Sequence, residues 1–191
     1  MAAIHVTDLL WRRLDVPGHE ACRLSEHPWG FQLEGCAVFI EGGISVCMRY
    51  DIGCDAGFRS QRAHVTGWRG ARNIDIRVEQ LTAGWSLNGE ELPEVRGCSD
   101  FDLGFSPATN LLQLRRINLR EGQAAEVPAA WFDPTQSSLS SLPQTYRRIA
   151  RDRYDYTAPT VPYAAILEVT ALGFVSRYPG LWQLERSNEA S

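Results

Sequence analysis

The chain has 191 residues, 44% of them hydrophobic and 22% charged, a balance that supplies a real interior and argues against extended disorder. Its formal charge of −4 exerts no general pull on phosphate backbones or anionic surfaces, so nucleic acid is not an expected partner. All 19 basic residues are Arg and none is Lys, which excludes a Schiff base, a pyridoxal phosphate anchor and a P-loop.

The N-terminal stretch from Met1 to Arg13 has no basic start followed by an apolar run, and no segment of about 18 apolar residues occurs. A cytoplasmic protein without stable membrane insertion is expected. Five cysteines, Cys22, Cys36, Cys47, Cys54 and Cys98, form no CxxC pair and read as reduced, mostly buried thiols. His19-Glu20-Ala21-Cys22, followed by His27 and Cys36, resembles half of a zinc motif but lacks a second close ligand pair, so neither a metal nor a cofactor is expected.

From Glu20 onward the dominant pattern is alternation with period two. Ile44, Val46, Met48, Tyr50 and Ile52 fall on one face with Ser45, Arg49 and Asp51 on the other, and Asn73 to Glu79 repeats the pattern. Glu41-Gly42-Gly43 and Asn88-Gly89 are hairpin turns by composition, and Glu121-Gly122 is a third after Arg115 to Leu119. Between them, Arg59, Arg62, Arg69 and Arg72 with His64 and Trp68 form a basic stretch that reads as a solvated face or, alternatively, as a site for a phosphate or sugar.

Later strand candidates are 124–132, 143–150, 153–157, 161–169 and 173–178, while 133–143 is rich in Ser and Pro and reads as a mobile connection. The polar end, 187–191, reads as frayed. About a dozen strands against one or two helical turns make this an all-β, mainly antiparallel protein. A single domain over residues 1–191 is expected, because a large curved sheet can use this length without dividing.

The densest polar run is Gly97 to Arg116. On an extended strand Asp100 and Asp102 point to the same side, where they can chelate a cation, share a proton or accept from a guanidinium. Ser106-Pro107 and Thr109-Asn110 read as a turn, after which Arg115 or Arg116 can return antiparallel to neutralise the carboxylates. A structural Asp–Arg network and a ligand-facing role both remain open.

This run, together with Trp85-Ser86-Leu87-Asn88-Gly89, Trp131, Gln144-x-Tyr146, Tyr154-Asp155-Tyr156, Gly173-Phe174-Val175 and Tyr178-Pro179-Gly180-Leu181-Trp182, resembles a bacterial family named for putative glycolipid binding and first defined as a domain of unknown function. The chain departs from the family at Leu111-Leu112-Gln113, where the family tends to read Thr-Leu-Pro, and at Thr170, where an acidic residue is common. The resemblance implies a large, strongly curved or barrel-like sheet, similar in outline to lipoprotein carriers, with an apolar cavity. It carries no catalytic residues with it. The function it implies is non-catalytic binding of a glycolipid or other amphiphilic, lipid-like molecule, with Asp100, Asp102, Arg115, Arg116, Tyr154 and Trp182 as ligand-binding candidates. One alternative is a hydrolase or lyase acting on a sugar or lipid derivative through Asp100 and Asp102. Another is an interaction module that uses an exposed sheet edge.

Overall fold

The computed structural model describes residues 3–136 and 138–187. Most of the C-terminal segment read as frayed, 188–191, lies outside them. The first half is a continuous meander of β1 (Ile4–Arg13), β2 (Gly18–His27), β3 (Gly30–Glu41), β4 (Ile44–Cys54), β5 (Ser60–Arg69), β6 (Arg72–Leu81), β7 (Gly84–Leu87) and β8 (Glu90–Leu92). After a 3-10 turn come β9 (Asp100–Leu103), α1 (Asn110–Ile117), β10 (Ala124–Glu126), β11 (Ala129–Phe132) and β12 (Leu139–Leu142). A second meander closes the chain with β13 (Thr145–Ala150), β14 (Arg153–Ala158), β15 (Tyr163–Val169), β16 (Val175–Tyr178) and β17 (Trp182–Ser187).

Fourteen strands form one antiparallel sheet in the order β10-β13-β14-β15-β16-β17-β1-β2-β3-β4-β5-β6-β7-β8. The two meanders join where β17 pairs with β1, from Leu9 opposite Ser187 to Arg13 opposite Trp182. The expected large antiparallel sheet is therefore present, but it stays open: β10 and β8, three residues each, end it without pairing to one another. Short edge strands carrying Glu90, Glu91 and Glu126 offer little template for a further strand. A second sheet of three strands, β12-β11-β9, contains the parallel pair β9–β11.

Alternation does what the sequence predicts. Val46, Met48, Tyr50 and Ile52 of β4 and Ile74, Ile76 and Val78 of β6 are buried, while Arg49, Asp75 and Arg77 are exposed. These faces pack into a filled core with β9, β11 and α1. A second apolar cluster gathers Leu114 of α1 with Val127, Leu142 and inward residues of β13 to β16. The turns also match: Gly42 and Gly43 have φ of 56° and 80°, and Asn88 and Gly89 have 52° and 87°, the paired left-handed residues of a two-residue hairpin.

Three expectations are corrected. The run Arg115 to Leu119 is not a strand returning antiparallel, because α1 occupies Asn110–Ile117 and Asn118 ends it in the left-handed conformation. Residues 124–132 form two strands in different sheets. Pro128 separates them, since it offers no N–H to either ladder. The stretch 133–143 holds β12, paired to β11, and Arg72 donates to the carbonyls of Pro134 and Gln136. Ahead of the alternating region, β1 pairs with both β17 and β2 at the join of the meanders.

Gly35 on β3 lies opposite Tyr50 on β4. A Cβ at Gly35 would sit 2.2 Å from the Tyr50 hydroxyl, which donates to Glu20 Oε1 at 2.5 Å. Gly35→Ala is therefore expected to displace the phenol and lower unfolding free energy by about 1–3 kcal/mol. A urea midpoint equal to that of the parent would refute this account of the glycine.

Candidate functional site

Strand β9 is buried along its whole length, Asp100 at 0% exposure and Asp102 at 6%. Its two carboxylates both meet residues of the following turn and helix. Arg116, in the last turn of α1, grips Asp100 through two hydrogen bonds, Nε to Oδ1 at 2.8 Å and Nη2 to Oδ2 at 2.6 Å. This bidentate geometry spends both oxygens and compensates the buried charge. Thr109, at the start of α1, donates its hydroxyl to Asp102 Oδ1 at 2.5 Å, and Leu103 N–H reaches the same oxygen at 3.0 Å. Thr109 consequently makes no side-chain cap to its own helix.

Asp102 forms part of the wall of a cavity of about 220 Å³. Trp131 of β11, Tyr156 of β14, Tyr163 of β15, Tyr178 of β16 and Trp182 of β17 supply aromatic walls, with Ser106 and Asn110 beside Asp102. The tyrosine rings are turned to one another: Tyr163 and Tyr178 have centroids 5.2 Å apart at 62°, and Tyr156 and Tyr178 5.8 Å apart at 83°. Trp131 lies against the backbone at Gly104, where an added Cβ would sit 2.8 Å from the indole. Gly104 thus gives the ring its seat.

A polar network stands behind this wall. Asn110 Nδ2 donates to the Tyr146 hydroxyl at 2.7 Å, and that hydroxyl donates to Gln113 Oε1 at 2.7 Å. Gln144 Nε2 shares the same Gln113 oxygen at 2.7 Å, and the Tyr156 hydroxyl donates to Gln144 Oε1 at 2.8 Å. Tyr163 is tied separately, its hydroxyl donating to the Pro179 carbonyl at 2.6 Å. Residues from α1, β13 and β14 are locked together, so the cavity is held by side chains with fixed partners.

A second interior acid lies beside the cavity. Glu20 Oε1 accepts from Ser106 Oγ at 2.6 Å and from Tyr50, while Oε2 is buried without a protein partner. Burial pushes its carboxyl up to about 8 against those two hydrogen bonds. Burial likewise pushes Asp102 up to about 7, against the bonds from Thr109 and Leu103. Surface charges behave differently: Arg62 pairs with Asp51, Arg69 with Glu41 and His64 with Asp75, so part of the basic stretch on β5 meets carboxylates. His19 points outward to Glu185 while Glu20 and Cys22 point inward, because neighbours on a strand take opposite faces.

The six candidate residues occupy three places. Asp102 and Trp182 share the aromatic cavity. Asp100 and Arg116 form the buried ion pair. Arg115 and Tyr154 line a different depression of about 170 Å³ with Arg148 and Arg151, where Arg115 lies 5.0 Å from the Phe58 ring centre and Arg148 5.6 Å from that of Tyr154. By sequence Trp131, Tyr156 and Tyr178 are motif residues with no site assigned, Asn110 is part of a turn, Glu20 belongs to half of a zinc motif, and Tyr163 is not singled out. An acid on the inward face of an alternating strand is the signal that marks Glu20.

Over residues 8–184 the chain matches the family described as "Putative glycolipid-binding". It belongs to that family. A crystal structure of a DUF1089 family protein from Pseudomonas aeruginosa is similar across 86% of this chain and 90% of its own, with 29% sequence identity and a TM-score of 0.77. No curated protein matches the chain. Among the described residues no helix is long and apolar enough to cross a membrane.

Both raised carboxyls hold a proton in the folded protein that the unfolded chain releases near its ordinary value, 3.8 for Asp102 and 4.5 for Glu20. The stability each contributes is present below that value and is lost as pH rises to about 7 and about 8 respectively. Asp102→Asn and Glu20→Gln are therefore expected to flatten the fall of Tm between about pH 5 and pH 8. Parallel Tm profiles for parent and variants would contradict the assignment.

Proposed function

We propose that this family member binds the polar head of a glycolipid or other amphiphile in the cavity walled by Trp131, Tyr156, Tyr163, Tyr178 and Trp182, without catalysis. The observation that carries this reading is the meeting of five aromatic residues and one carboxyl, Asp102, around a half-open cavity. Apolar walls with a few fixed polar groups are the usual composition of a small-molecule site. The family description is in keeping with it.

Size sets what enters. At about 220 Å³ the cavity is smaller than the roughly 300–1,000 Å³ of sites that enclose a drug-sized ligand. A head group fits within, and the acyl chains stay outside it. Leu181 and Val161 also belong to the cavity lining, and Val161 is 38% exposed, which suits contact with the first methylenes of a chain.

The two-carboxylate enzyme alternative is less well supported, because Asp100 has both oxygens committed to Arg116. We assign Asp100 and Arg116 to the frame that holds Asp102, and Arg115 and Tyr154 to a surface apart from the head group.

Native mass spectrometry of gently purified protein, followed by organic extraction, is the direct test, and a stoichiometric amphiphile is the expected finding. Trp131→Ala, which removes one wall, is expected to weaken binding of that amphiphile about tenfold, equivalent to about 1.4 kcal/mol. A bare mass that persists after exposure to total lipid extract would overturn the proposal.

A further inference from the structure

We propose that the head group taken by this cavity carries a positive charge, an ammonium such as that of an amino sugar or a quaternary amine. This inference rests on the binding reading above and names its ligand class. Asp102 is the one acidic or basic residue among the cavity's lining residues. Arg13 comes within 5.4 Å of the Trp182 ring centre, and its Nε and Nη2 are held by Asp15 through hydrogen bonds at 2.8 and 3.0 Å, while Nη1 is buried without a hydrogen-bond partner. Among the described residues no Arg or His pairs with Asp102, whose Oδ1 accepts from Thr109 and Leu103.

The remaining polar atoms are largely committed to the protein. Ser106 gives its hydroxyl hydrogen to Glu20, and Asn110 donates to Tyr146. The hydroxyls of Tyr156 and Tyr163 are pinned to Gln144 and to the Pro179 carbonyl. A neutral sugar ring needs several directional partners for its hydroxyls, and this lining has few to give. What it presents is aromatic surface and a carboxyl. Tyr156, Tyr163 and Tyr178 pack against one another with centroids 5.2 to 6.1 Å apart, and together they present one continuous aromatic wall to the cavity. Aromatic rings around a desolvated cation, with an anion to complete the charge, recognise ammonium groups through the ring quadrupole.

Isosteric pairs that differ in charge test this on the intact chain. Choline is compared with 3,3-dimethyl-1-butanol, and methyl glucosaminide with methyl glucoside, by calorimetric titration. The expected result is at least tenfold tighter binding of the charged member of one pair, and which pair discriminates separates a quaternary amine from an amino sugar. Asp102→Asn is expected to erase the preference, and Tyr163→Phe, which keeps the ring, to retain it. If neutral and charged members bind equally, or the neutral one binds tighter, the charge proposal is overturned and the cavity reading stands. If none of the four binds while extraction yields a stoichiometric amphiphile, the charge proposal alone is lost. If none binds and no amphiphile is recovered, both fall.

Discussion

The rest of the molecule depends on the burial of two carboxylates, two residues apart, on one short strand. Asp100 is fully buried and Asp102 nearly so, and an uncompensated ion there would be strongly destabilising. The chain meets the demand twice with one element: Thr109 at the beginning of α1 takes Asp102, and Arg116 at its end takes Asp100. Satisfying both fixes where the helix lies along β9. Its buried residues then divide between two apolar clusters, Leu111 and Leu112 in one and Leu114 in the other.

With α1 placed, the cavity follows from sheet order. β14, β15, β16 and β17 are neighbours in the large sheet, and β11 is parallel to β9 in the small one. Inward side chains of four consecutive strands therefore face a tryptophan that rests on Gly104. The first meander builds filled core and sends Ser106's partner, Glu20, into the interior. One half of the sheet thus stabilises the half that encloses space.

Acids in this chain fall into two chemical settings. Those on the outer face, such as Asp51, Glu41 and Asp75, meet Arg or His at 2.8 to 3.3 Å and add little stability individually. Asp102 and Glu20 are solvated by hydroxyls and burial raises their carboxyls. The protonation of interior acids of that kind is set by burial and by the charges and hydrogen bonds beside them.

Much of the fold is legible by local rules. Period-two alternation marks β4 and β6, and Gly42-Gly43 and Asn88-Gly89 mark the β3–β4 and β7–β8 turns, because a strand's two faces and a hairpin's left-handed residues are properties of adjacent positions. α1 is not legible in that way: five consecutive residues from Asn110 to Leu114 are buried, so no polar stripe betrays the helix, and burial on nearly all sides overrides the pattern. Pro128 announces the break between β10 and β11, yet not that the halves join different sheets. The sequence by itself determined an all-β chain, its main strands, its paired aspartates and arginines, and most of its cavity aromatics as residue types. Only the tertiary structure decided that Asp102, Trp131, Tyr156, Tyr163, Tyr178 and Trp182 share one space while Arg115 and Tyr154 share another. That choice rests on pairings between strands far apart in the chain, such as β1 with β17 and β9 with β11, and no periodicity within a single segment encodes them.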